Sequence, residues 1–109
     1  MITDFVSFYS LPSSIIGHYK YKSIKAAYLF YYAPKGLGKD IARNQALIKD
    51  ALSMAQEAGF DVLNCLELLD NQSFLEELKF GKGDGELHYY LFNYRCRDIE
   101  PKNMALVML

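Results

Sequence analysis

Tryptophan is absent from this 109-residue chain, and cysteine and proline are scarce, at two and three residues. Cys65 and Cys96 form no C-x-x-C pair. In a chain without a secretory leader they read as reduced thiols, and nothing local would lower their pKa enough to make nucleophiles. No apolar run reaches transmembrane length. Nor does a basic, Arg-rich leader precede the first strand-like segment. Elimination makes the cytoplasm the expected compartment. An excess of one charge is missing too: 12 basic and 13 acidic residues give a net charge of -1, with no like-charged block. That excludes a nucleic-acid binder held by electrostatics, and the RNP1 pattern of RNA-stacking sheets is absent. His18 and His88 have no acidic or cysteine neighbour at metal-ligand spacing, so no metal site is expected.

What is abundant is apolar and aromatic. Hydrophobic residues make up 51% of the chain, with nine Tyr and seven Phe. That is one domain's worth of core, or a piece that packs against a further segment. Residues 2–9 alternate as a strand and nothing precedes them to cover it, so the chain is expected to be part of a longer one.

Pro12 ends the first strand. Residues 25–33 (KAAYLFYYA) predict a buried strand closed by Pro34, Lys35 and Gly36, and residues 34–39 a loop. Asp40 is a candidate N-cap for a helix over 41–58, with Leu47, Ala51, Ala55 and Ala58 on one stripe and Gly59 as the stop. Residues 60–66 predict a short buried strand. Asp70 or Asn71 would cap a second helix presenting Phe74, Leu75 and Leu78. After a glycine-rich loop at 79–85, the aromatic segment 86–94 predicts another strand. The ending, MALVML, is apolar and expected to lie inside. The order (strand, strand, helix, strand, helix, strand, strand) makes the chain α+β, with a sheet covered by helices.

Residues 79–85 read KFGKGDG. Three glycines, an aromatic and an acid at set places match the signature K-F-G-x-G-D-G. FYSLPS at 8–13, KAAYLFYY at 25–32, GFDVLN at 59–64, LHYYLFNYR at 87–95 and the terminal ALVML continue the match. In these segments the whole chain resembles the glycylpeptide N-tetradecanoyltransferases, or N-myristoyltransferases. The family's other signature, E-[IV]-N-F-L-C-x-H-K, is not in the sequence; it belongs to the N-terminal half that holds myristoyl-CoA and supplies the oxyanion hole. The resemblance implies a portion of the GNAT-like acyl-CoA N-acyltransferase fold, with the acyl-CoA-binding half missing and residues 1–109 on the peptide-binding side.

The glycines of the 79–85 loop have a physical rationale of their own, since glycine accepts positive φ and lets backbone approach a ligand. Without the resemblance, a tight turn between helix and strand is the favoured reading of them. The loop is not a P-loop, and Asp84 would repel phosphate. By resemblance, Asp84 and Gly85 contact the acceptor peptide beyond its N-terminal glycine, and Lys79, Phe80, Gly81 and Gly83 complete the signature. Tyr9, Ser13, Ile24, Tyr28, Asn64 and Leu87 match positions lining the peptide pocket. Without the resemblance, Tyr28 and Leu87 would read as core. Asn64 would read as either a satisfied core amide or a group kept for a ligand.

The resemblance further implies a catalytic role for the free carboxylate of Leu109, as the base that takes a proton from the attacking amine. No cofactor is expected beyond myristoyl-CoA as co-substrate, bound mainly by the missing half. Partners would be proteins and peptides with an N-terminal glycine, with no nucleic acid. The chain alone is expected to be inactive and to self-associate through its uncovered apolar surface. A truncated, non-catalytic peptide-binding module remains the alternative.

Overall fold

A computed structural model describes every residue of the chain except Leu37, Gly38, Leu106, Met108 and Leu109. Strand β1 (Phe5–Ser10) runs antiparallel to β4 (Ala26–Ala33), and β5 (Val62–Asn64) joins β4 in parallel, giving the order β1-β4-β5. Between β1 and β4 the chain makes a small hairpin, β2 (Ser13–Ser14) with β3 (Ser23–Ile24). This hairpin prolongs the β1–β4 ladder past Pro12, through Leu11 N–H donating to Ala26 C=O and Ile15 N–H to Lys22 C=O. Its tip is closed by His18, whose Nδ1 accepts from the main-chain N–H of Lys20 and Tyr21.

Helix α1 (Ile41–Glu57) returns from the end of β4 to the start of β5, as a parallel pairing requires. Asp40 caps it, accepting from Arg43 N–H at 3.2 Å. Leu47, Ile48, Ala51 and Ala55 are its buried stripe. Small residues at 51 and 55 let the helix lie close against the sheet, where Ala26 and Ala27 are also small and buried. Helix α2 (Gln72–Leu75) is short, and its Phe74 is fully buried.

Both helical segments stop with the same device. Gly59 N–H donates to Gln56 C=O and Phe60 N–H to Ala55 C=O; after α2, Lys79 N–H donates to Glu76 C=O and Phe80 N–H to Leu75 C=O. This paired bonding needs a left-handed residue at its corner. Gly59 (φ 80) supplies it in one case and Lys79 (φ 60) in the other.

One residue too many in β4 sets which side chains face where. Val6 is opposite Tyr32 but Phe8 is opposite Leu29, so Phe30 and Tyr31 together face Ser7. The bulge is tied by Ser7 Oγ donating to Tyr31 C=O at 2.8 Å, and the Phe30 and Tyr31 rings stack with centroids 3.9 Å apart. A bulge reverses the alternation beyond it. Ala27, Leu29 and Tyr32 therefore share one face, where Tyr32 meets Phe74 edge-on and Phe8 meets Phe60. That face carries the helices. The opposite face holds Tyr9, Tyr28, Phe30 and Tyr31.

Two expectations are corrected. Residues 86–94 are not a strand: none is paired, and Tyr90 and Phe92 are 87% and 97% exposed. Their aromatic content gives strand propensity, but no described strand of this chain lies beside them, and an unpaired strand has no ladder to hold it. Nor are Ala105 and Val107 of the ending interior. After a 3₁₀ turn at Pro101–Asn103, Ala105 is exposed and Val107 is 72% exposed. No described element covers it.

Candidate functional site

The sheet register collects the sequence-predicted residues into two rows. Tyr9 is the cross-strand partner of Tyr28, and Tyr28 is the partner of Asn64. Residues partnered in this way point to one side of a sheet. The two tyrosine rings stack at 5.4 Å with 12° between planes, and Phe30 stands edge-on to Tyr9 at 5.7 Å. The row lies on the face away from the helices. Tyr9 is 40% exposed, while Tyr28 and Asn64 are half-buried. The second row is the small hairpin, where Ser13 and Ile24 are partners, both half-buried.

Asn64 ends β5, at the sheet edge. Its side-chain amide makes no hydrogen bond among the described residues, and it is not so buried that this is costly. Of the two readings of this residue, a satisfied core amide is excluded; a group kept for a ligand is consistent with the geometry.

Asp84, Gly85 and Leu87 are not brought to either row by any described contact. All three are exposed, and Asp84 has no ion pair or hydrogen bond among the described residues. The loop glycines behave differently from expectation. Gly81, Gly83 and Gly85 do not adopt positive φ, and a Cβ on any of them would meet nothing within 4 Å. The chain's own folding therefore does not require glycine there. Lys79 is the residue with the left-handed backbone, and Phe80 packs its ring 6.1 Å from Phe74. Leu109 lies outside the described residues.

No group of His, Cys, Asp and Glu that could hold a metal occurs among the described residues, and no helix there is long and apolar enough to cross a membrane. Two open depressions of about 440 and about 590 Å³ lie against α1; Lys79 of the signature loop lines the larger, and no other candidate residue lines either.

Sequence reasoning missed one polar cluster. Asn71 does not cap α2 with its side chain. Instead its Oδ1 accepts from Tyr32 Oη at 2.7 Å, and its Nδ2 donates to Leu66 C=O at 2.7 Å and Cys65 Sγ at 3.3 Å. Burial pushes the Tyr32 hydroxyl up to about 12, with the Asp70 charge adding to it. Burial likewise raises the Cys65 thiol to about 11, against the weaker pull of the Asn71 bond. Cys65 is thus an unreactive thiol at neutral pH. The sequence held no signal for it, because alternation counted along β4 puts Tyr32 on the face of Tyr28, away from Asn71.

Comparison with known proteins bears on all of this. Residues 1–107 match the family described as Myristoyl-CoA:protein N-myristoyltransferase, C-terminal domain. The chain is 50% identical over 130 aligned residues to the glycylpeptide N-tetradecanoyltransferase of Schizosaccharomyces pombe, covering 99% of this chain and 28% of that protein. It is 48% identical over 111 residues to glycylpeptide N-tetradecanoyltransferase 2 of Danio rerio, covering 99% and 21%. Among solved structures, it is similar to Saccharomyces cerevisiae N-myristoyltransferase with bound myristoyl-CoA, with a TM-score of 0.67 and 43% identity over 76% of this chain and 21% of that one. The chain thus spans roughly a fifth to just over a quarter of these relatives' lengths. Its α+β fold is a portion of the GNAT-like fold of those enzymes, and the chain belongs to the N-myristoyltransferase family, as its C-terminal domain.

Proposed function

We propose that this chain is the acceptor-peptide side of an enzyme that transfers a myristoyl group from myristoyl-CoA to the amine of an N-terminal glycine. The observation that carries the peptide side is the Tyr9–Tyr28–Asn64 row, a stacked aromatic pair ending in an amide that has no partner among the described residues, on the face opposite the helices. An extended peptide presents one N–H and one C=O per residue, which is what a spare side-chain amide can bond. Asp84, exposed in a frame of residues without side chains, suits a cationic or amide-bearing part of the same peptide. The walls that turn this face into a groove, and the acyl-CoA site, come from the remaining length that the relatives have.

The chemistry is direct attack of the glycine nitrogen on the thioester carbon; the C–N bond forms, the C–S bond breaks, and CoA leaves as the thiol. An α-amine titrates near 8, so at neutral pH most of it is protonated and a base must take its proton. By resemblance to the family, that base is the Leu109 carboxylate. A chain-end carboxylate titrates near 3.5 unless burial disfavours its charged form. Since Val107 is 72% exposed in this chain, the apolar cover has to come from the rest of the enzyme.

The test uses a full-length enzyme carrying this chain as its C-terminal domain. Asp84→Asn keeps shape and removes charge, and is expected to weaken acceptor-peptide binding by about 1–2 kcal/mol while sparing myristoyl-CoA. A few residues appended after Leu109 should lower kcat by about 10²-fold or more at saturating peptide. Equal losses for both ligands, or a tagged enzyme turning over like wild type, would overturn the respective assignment.

A further inference from the structure

Strand β5 is only three residues long and has one neighbour, β4, with Asn64 as its last paired residue. Beyond Asn64 no ladder holds the chain, yet the segment to α2 includes Leu69 with φ 51, a conformation a branched side chain adopts only when its surroundings impose it. One residue, Asn71, ties this segment together. Asn71 is 8% exposed, and its side chain makes three hydrogen bonds, one to β4 and two to the residues that follow Asn64. Its own N–H donates to Leu68 C=O at 3.0 Å, closing the turn from within. The Tyr32 hydroxyl reaches it because the β4 bulge has turned that ring to the helix side. Tyr32 and Cys65 both stay protonated at neutral pH, so the connection carries no charge.

We propose that Asn71 is a positioning residue for acceptor-peptide recognition: bridging Tyr32 to the Cys65 thiol and the Leu66 carbonyl, it holds the end of β5 so that the Asn64 amide stays in the row with Tyr28 and Tyr9. The proposal rests on the reading of Asn64 as a peptide contact. Asn71 touches no peptide itself. It acts as the ladder bond that β5 is too short to make, on the side of the sheet away from the ligand.

Steady-state kinetics of the full-length enzyme separate the possibilities, with Tyr32→Phe as the mild probe because it removes one hydroxyl and keeps the ring against Phe74. Tyr32→Phe is expected to raise KM for an acceptor peptide by about threefold or more, with kcat and the KM for myristoyl-CoA held. Asn64→Ala should raise peptide KM at least as much. In the Asn64→Ala background, Tyr32→Phe should add less than about twofold, since two changes acting through one group do not add. Asn71→Ser, which keeps a small polar group but cannot span the gap, should behave like Tyr32→Phe. An equal rise in both backgrounds means the bridge only stabilises the fold, and overturns the proposal. A rise for Asn64→Ala with none for Tyr32→Phe or Asn71→Ser overturns it while leaving the peptide reading standing. No change for Asn64→Ala removes the reading and the proposal together.

Discussion

Asp4 is gripped from two places distant in sequence. Arg43 Nε and a terminal guanidinium nitrogen each donate to it at 2.8 Å, and Lys35 N–H donates at 2.9 Å. These bonds, the Arg43 side chain first, hold its carboxyl far below the usual range. A depressed folded-state pKa means stability present above the ordinary carboxylate value and lost as pH falls below it. Denaturant midpoints measured from pH 7 down to pH 3 should therefore fall more steeply for the wild-type chain than for Asp4→Asn below about pH 4. Asp4→Asn should be the less stable of the two at pH 7. Parallel curves would mean the pair is solvated and idle. Residues such as these show how far single positions were legible. Asp40 caps α1 as its sequence context predicts, because capping is a local matter settled within three residues. Asn71 also had a capping context, but a partner 39 positions away outbid the helix. The Asp4–Arg43 pair has the same separation, and no local pattern announces it.

Among the elements, α1 was readable because its buried stripe follows the helical period, and β4 because an apolar, aromatic run closed by Pro34 marks a strand. The β2–β3 hairpin escaped, since two-residue strands leave no periodic trace. So did the bulge, which places Tyr32 with the helices and not with Tyr28; a count of alternate residues puts it on the wrong face. Of the candidate residues, Tyr9, Tyr28 and Asn64 sit in strands whose pairing brings them into line, whereas Asp84, Gly85 and Leu87 are paired with no described segment. The two helix stops offer a test within one molecule. A left-handed residue bearing a side chain costs roughly 1–2 kcal/mol over glycine, partly offset by glycine's greater freedom when unfolded. Lys79→Gly is therefore expected to be neutral to about 1 kcal/mol stabilising in a urea melt, and Gly59→Ala to be destabilising by about 1 kcal/mol. A Cβ at Gly59 would meet only Lys25 Nζ at 3.8 Å, so crowding does not confuse the result. Should Gly59→Ala leave the midpoint unmoved, the shared stop geometry would be wrong. A lysine kept where glycine is cheaper is the mark of a position held for something other than stability.

The whole molecule divides into a packed part, residues 1–80, and residues 81–100, every one of which is exposed. Brief trypsin treatment of the isolated chain should cut first after Lys82, Arg95, Arg97 and Lys102, leaving a resistant product that begins at Met1; mass spectrometry reads this directly. Early cuts after Lys49 or Arg43 would contradict it. The division also says why the last quarter of the fold was misread: strand propensity was present, but a strand is a property of two segments, and none of the described residues pairs with this one. There is a practical consequence of the stacked pair on the open face. With no tryptophan in the chain, tyrosine alone dominates its near-ultraviolet spectrum, and Tyr9 and Tyr28 are locked ring to ring where anything settling on that face must touch them. Near-ultraviolet circular dichroism responds to such fixed aromatic packing. The chain carries its own optical gauge of occupancy, needing no label: a change in that band when a peptide or a covering segment is added, absent in Tyr28→Leu, would report the moment the face is filled.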